Sequence, residues 1–176
     1  ILLLALLLVG ASFQALVKGY LQDTTLDRLE NDARTIAQLA AAYYTDESLT
    51  DRDFLVNLSV ASQVSGANAV ICDRSGALVL CSDAPFGCNH QGWSLNSAYV
   101  ERVVLRGGAR NTGVTTQLYD EARYMVSVPI LDTRSGKAVG IVMVSSPMEE
   151  TNTVLTKISD IFLGVALIVV LLSVVV

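Results

Sequence analysis

The sequence predicts an α+β domain with a five-stranded antiparallel sheet, carried between two membrane-spanning helices. Apolar runs free of charge occupy both ends of the 176-residue chain, while nearly every Asp, Glu, Lys and Arg lies between them. The first part of this polar middle carries apolar residues at helical spacing. The rest consists of short β-type runs joined by connections too short for parallel crossovers.

The ends come first. Hydrophobic residues make up 52% of the chain and mean hydropathy is +0.48, yet residues 1–17 and 161–176 contain no charged side chain. A spanning helix needs roughly 17 to 25 apolar residues. Each run sits at or just below that limit and stops at a chain end, so both read as truncated spans. The resulting division is a first transmembrane helix over residues 1–18, an extracytoplasmic domain over 19–146, a juxtamembrane helix over 147–160 and a second transmembrane helix over 161–176. A signal peptide cleaved near Val9-Gly10-Ala11 is the alternative for the first run, but the apolar phase continues past Ala11 without a break. A buried core helix is the alternative for the second, and a charge-free run rich in Val, Leu and Ile fits lipid better. A net charge of −5 and a pI near 4.7 leave no basic stripe for phosphates, which excludes nucleic acid as a partner.

From Lys18 to Thr45, Leu26, Leu29, Ala33, Ile36, Ala40 and Tyr43 recur at alternating spacings of three and four, which places them along one side of a helix. Over about three heptads this seam suits equally a helix laid on a sheet and a dimer coiled coil. A second helix is expected from Thr50 as N-cap, with Asp51 and Asp53 in its first turn, Phe54, Leu55, Leu58, Ala61 and Val64 on one face and Gly66 at its end. Ala69–Cys72 and Ala77–Cys81 then read as a hairpin turning at Asp73-Arg74-Ser75-Gly76. Residues 82–111 form an insertion with a short helix over Ala98–Arg106. Three strands follow, Thr112–Tyr119, Arg123–Leu131 and Ala138–Ser145, separated by Asp120-Glu121 and by residues 132–137. Ser146-Pro147-Met148-Glu149 has an N-cap serine, a proline at the first helical position and a glutamate at the third, and so starts the last helix.

Val70-Ile71-Cys72-Asp73-Arg74-Ser75-Gly76-Ala77-Leu78-Val79, Tyr124-Met125-Val126-Ser127-Val128-Pro129-Ile130 and Gly140-Ile141-Val142-Met143-Val144, with a long helix in front and an insertion in the middle, resemble the single Cache, PAS-like extracytoplasmic sensor domains of bacterial transmembrane histidine kinases. The resemblance covers most of residues 15–160. It implies a PAS-like sheet with the long helix on one face and a ligand pocket on the other. It also implies a homodimer at the cell membrane, in contact with lipid, that binds a small extracellular molecule and signals to a kinase of a two-component system. The segment itself is then non-catalytic and needs no cofactor. A chemoreceptor or diguanylate cyclase with the same input domain is the alternative output, and a membrane-anchored, pilin-like structural protein is the alternative of another class.

Cys72, Cys81, Cys88 and His90 fall close together. In an oxidising compartment a disulfide between Cys81 and Cys88 is expected. A hairpin turning at 73–76 puts Cys72 opposite Ala77, leaving Cys81 about 13 Å further along, beyond the reach of a bridge. Closing the 81–88 loop would remove roughly 2.5 kcal/mol of unfolded-state entropy. A metal site of Cys72, Cys81, Cys88 and His90 is the competing reading, suited to zinc but without a Cys-x-x-Cys pair. Gly107-Gly108 lacks the Lys and Ser or Thr of a phosphate loop, and the one histidine stands too near Cys88 for a scaffolded nucleophile and base. For the pocket, strand alternation places Arg123, Met125 and Ser127 on one face and Tyr124, Val126 and Val128 on the other. Tyr119, Arg102 and Arg106 reach the same space in this reading, where arginines would suit a carboxylate.

Overall fold

The computed structural model describes residues 2–44, 52–82, 88, 90, 92–113 and 118–175. The chain divides into two compact units, Leu26–Pro147 and Ile1–Thr25 with Met148–Val176. In chain order the elements are α1 (Leu2–Tyr43), α2 (Arg52–Ser65), β1 (Asn68–Asp73), β2 (Leu78–Cys81), α3 (Ser97–Arg106), β3 (Ala109–Gly113), β4 (Arg123–Leu131), β5 (Ala138–Pro147) and α4 (Met148–Val175).

Within Leu26–Pro147 the five strands form one antiparallel sheet in the order β2-β1-β5-β4-β3. Its register sorts the side chains into rows. Ala69, Val144, Val126 and Arg110 lie side by side across β1, β5, β4 and β3, as do Ile71, Val142 and Val128 across the first three. These rows point to the face covered by α1 and α2. There Leu26, Leu29, Ala33, Ile36, Ala37, Ala40 and Ala41 of α1 are buried, and Ala37 and Ala41 line one cleft with Val128. The seam of α1 is therefore laid on the sheet. Arg110 ties it down by pairing with Asp27 at 2.8 Å and Glu30 at 2.6 Å. The intervening rows, Asn68, Ser145, Met125 and Asn111, then Val70, Met143, Ser127 and Ala109, face the opposite side. α3 covers that side with Val100 and Val103.

Several boundaries depart from the sequence expectations. Thr50 and Asp51 lie outside the described residues. α2 buries Phe54, Leu58, Ser59 and Ser62 while Val64 is exposed. Steps of four (54, 58, 62) carry the buried stripe away from Val64, because 3.6 residues complete a turn. In the hairpin, a bulge between Ile71 and Cys72 sets Cys72 opposite Leu78 rather than Ala77, and Cys81 opposite Val70. The strand expected at Thr112–Tyr119 starts earlier, at Ala109. Gly107 (φ 70°) and Gly108 (φ 154°) turn the chain immediately after α3, and Gly113 (φ 100°) ends the strand. Residues 114–117 lie outside the described residues. β5 continues two residues past Ser145, since Ser146 and Pro147 still pair with Tyr124 and Arg123. The last helix therefore begins at Met148, and Ser146 is a strand residue instead of a cap.

In the other unit, Gln14 Nε2 donates to Ser159 Oγ at 2.9 Å. Gly10 leaves room for the Phe162 ring, which an added Cβ would overlap. Asn152–Leu171 of α4 is apolar, with mean hydropathy 2.3 over 20 residues, and none of it is buried. It is the one segment among the described residues long and apolar enough to cross a membrane.

Candidate ligand site under helix α3

α3 is fixed at both ends by local chemistry. Asn96 is extended (φ −63°, ψ 133°) and its Oδ1 accepts from the Ala98 N–H at 2.8 Å, while Gly107 closes the helix in the left-handed conformation. Upstream, main-chain bonds stitch the approach to α3 onto the β1–β2 turn. Leu95 N–H donates to Gly76 O at 2.8 Å and Leu78 N–H to Trp93 O at 3.3 Å, and Ala77 bridges Ser94. Gly76 allows the approach, for its φ is 90° and a Cβ there would lie 2.7 Å from Leu95 O. Asp73 organises the turn itself. Burial pushes its carboxyl up, but bonds from the Ser75 hydroxyl and the N–H groups of Ala77, Ser75 and Gly76 outweigh this and hold it below the usual range.

Beneath α3, Val70, Cys72, Cys81, Leu95, Leu118, Met125, Ile141 and Met143 form an apolar, sulfur-rich layer with Val100 and Val103. A polar group is set into it. The Tyr99 hydroxyl lies 2.9 Å from Ser127 Oγ and accepts from Asn111 Nδ2 at 2.7 Å. Burial raises the Tyr99 pKa, although bonds to Ser127 and Asn111 and the charge of Arg102 pull it down. The structure thus brings Met125 and Ser127 together on this face and sets the Arg102 charge within range of Tyr99. Arg106 is exposed at the end of α3.

Arg123 shares the face, but its charge is committed. It is 6% exposed and ion-paired with Glu121. It donates to Asn68 Oδ1, to Ser145 Oγ at 3.2 Å and to Ser145 O at 3.3 Å, and its guanidinium lies 4.1 Å from the centre of the Tyr119 ring. Tyr99 and Asn111 were missed in the sequence. Tyr99 stands three residues before Arg102 on the same side of the helix, and Asn111 shares the face of Ala109 once the strand is placed at 109–113.

Beside this layer Cys81 Sγ and Cys88 Sγ lie 3.6 Å and 3.7 Å from one atom, Nδ1 of His90. The three groups fall within 4.8 Å of one another. All three cysteines are in the thiol form, so the expected Cys81–Cys88 bridge is not formed in this structure. Cys72 stands apart from the group. It lies opposite Leu78, three residues back along β2 from Cys81, or about 10 Å at strand spacing. Its thiol is pushed up to about 12 by burial and by the charge of Asp73. The His90 ring meets the Tyr119 ring edge-on, with centres 5.2 Å apart.

A polar cleft of about 780 Å³ opens elsewhere, at the turn end of the sheet, lined by Tyr44, Arg74, Ser75, Arg134, Ser135 and Lys137 among others. Asp132 there, like Asp73, spends its carboxylate on its own turn, accepting from Ser135 Oγ at 2.6 Å and from the Arg134 and Ser135 N–H groups. These bonds hold its pKa down.

No protein-family model matches the sequence, and no curated protein matches it. Solved structures do match in fold. The sensor domain of the Vibrio cholerae histidine kinase DctB is 16% identical with a TM-score of 0.62. The match covers 81% of this chain, which spans 56% of that domain's length. The Escherichia coli DcuS sensor domain is 13% identical with a TM-score of 0.56, over 75% of this chain and 95% of that one. The ligand-binding domain of the Pseudomonas aeruginosa amino acid chemoreceptor PctC, solved with GABA, is 13% identical with a TM-score of 0.52, over 84% of this chain and 64% of that one. This chain therefore shares its fold, a five-stranded antiparallel sheet with a long helix on one face, with these sensor and ligand-binding domains.

Proposed function

We propose that this chain is the sensing segment of a membrane receptor, a homodimeric sensor histidine kinase of a two-component system, and that a small extracellular molecule binds under α3. In this reading residues 19–146 are extracytoplasmic, residues 1–18 and the apolar part of α4 lie in lipid, and residues 147–160 join domain to membrane. The observation that carries it is the group of buried Ser127 with half-buried Tyr99 and Asn111, hydrogen-bonded to one another at an apolar layer on a sheet of the sensor fold. Convergent polar groups in an apolar surround are what a small-molecule site requires. Arg102 supplies a cation at the edge, so a carboxylate-bearing ligand fits best. With its charge committed to Glu121, Arg123 positions Tyr119 and Ser145. The likeness to PctC supports a second reading, in which the same segment serves a chemoreceptor.

The test is a thermal-shift screen of the full chain in detergent against amino acids, carboxylates and amines. A compound that raises Tm should lose most of its effect in Tyr99→Phe and Arg102→Ala. A shift unchanged in both variants moves the site elsewhere, the turn cleft being the next place to examine. Ligand-dependent phosphorylation of a histidine in the full-length receptor supports the kinase reading, whereas ligand-dependent glutamate methylation supports the chemoreceptor.

A further inference from the structure

We propose that Cys81, Cys88 and His90 form a binding site for a thiophilic transition-metal cation of the zinc class. In a tetrahedral zinc site, with Zn–S near 2.3 Å and Zn–N near 2.0–2.1 Å, adjacent sulfur and nitrogen donors stand about 3.6 Å apart. Nδ1 of His90 lies 3.6 Å from one sulfur and 3.7 Å from the other, so both mixed edges of the triangle already have ligand spacing. A shared cation satisfies all three donors at once.

The scaffold holds two of the donors. Cys81 is the last residue of β2, buried and in register with Val70. His90 O accepts from the Trp93 N–H at 3.1 Å, and its ring is steadied by the edge of Tyr119, which in turn stacks under Arg123. Cys88 and His90 are only half-buried, which gives an ion a way in. Three protein donors leave a fourth position for water or an exogenous ligand, the arrangement of a labile site rather than a closed structural one. Both thiols must ionise on binding, so each divalent cation taken up releases two protons and no electrons are exchanged. The inference stands whether or not an organic molecule binds under α3.

Titration of the metal-free full chain, kept reduced with a phosphine, with Co²⁺ alone tests it. One equivalent should bind with a thiolate-to-cobalt charge-transfer band that Zn²⁺ abolishes. His90→Ala and Cys88→Ser, at half-buried positions that spare the core, should each weaken Co²⁺ binding at least about tenfold, and Cys72→Ala should leave it unchanged. Absence of the band overturns the proposal, as does a band that survives His90→Ala. So does non-reducing mass analysis of protein isolated from the cell envelope that finds Cys81 and Cys88 linked.

Discussion

The two faces of the sheet are made from the same strands, yet they are built differently. Toward α1 and α2 the strands present Ala69, Ile71, Val126, Val128, Val142 and Val144, all at most 2% exposed, and α1 meets them largely with alanines and leucines. Polar contact on that side sits at the margin, where Arg110 pairs with Asp27 and Glu30. Toward α3 the alternate positions are Asn68, Ser127, Ser145, Cys72, Met125 and Met143, with hydroxyls, amides and a guanidinium bonded to one another below the surface. Dispersion and burial fasten the first face. The second contains groups that hold to one another and are chemically equipped to hold something else.

Ile71 and Cys72, adjacent in β1 and fully buried on opposite faces, allow the sharpest attack on this contrast. Ile71→Ala should cost about 2–5 kcal/mol by leaving a cavity on the helix-packed side, read as a fall in the denaturation midpoint. A cost below that of Tyr99→Phe would erase the distinction. A smaller effect, about 1–3 kcal/mol, is expected of Gly76→Ala, since both its φ of 90° and the Leu95 carbonyl oppose a side chain. Hydrogen exchange should locate the damage at the Leu78 and Leu95 amides, leaving the α1 side protected. The smallest concerns Glu30, whose carboxyl is held below its ordinary range by hydrogen bonds from Arg34 and Arg110, with burial opposing. Because the folded value is the lower one, its stabilisation is present above the ordinary carboxylate pKa and lost as pH falls through the folded value. Glu30→Gln should therefore lower stability by under about 1 kcal/mol at neutral pH, and the difference from the parent should vanish in acid.

Period-two alternation in β-branched and apolar residues made β4 legible from end to end, and with it the shared face of Arg123, Met125 and Ser127. β3 was misplaced for the opposite reason: Ala109-Arg110-Asn111-Thr112-Gly113 has no apolar alternation of its own, and its extended form comes from pairing with β4. The buried stripe of α2 depends on which of two four-residue rows, on opposite sides of the helix, meets the sheet. The chosen row carries Ser62 and leaves Val56, Val60 and Val64 exposed, which no hydrophobicity pattern would select. The exclusion of Cys72 from the cysteine cluster follows from hairpin register and could be read early. The approach of both thiols to a single nitrogen depends on how residues 88 and 90 lie against β2, and spacing along the chain says nothing of it.

β5 sits in the middle of the sheet, hydrogen-bonded to β1 on one side and β4 on the other, and the chain leaves it at Pro147 directly into α4. A strand gripped along both edges cannot slide one notch without turning each side chain to the wrong face. Slippage of β5 against its neighbours is thereby forbidden, and a displacement at Pro147 has to carry β1 and β4 along with it.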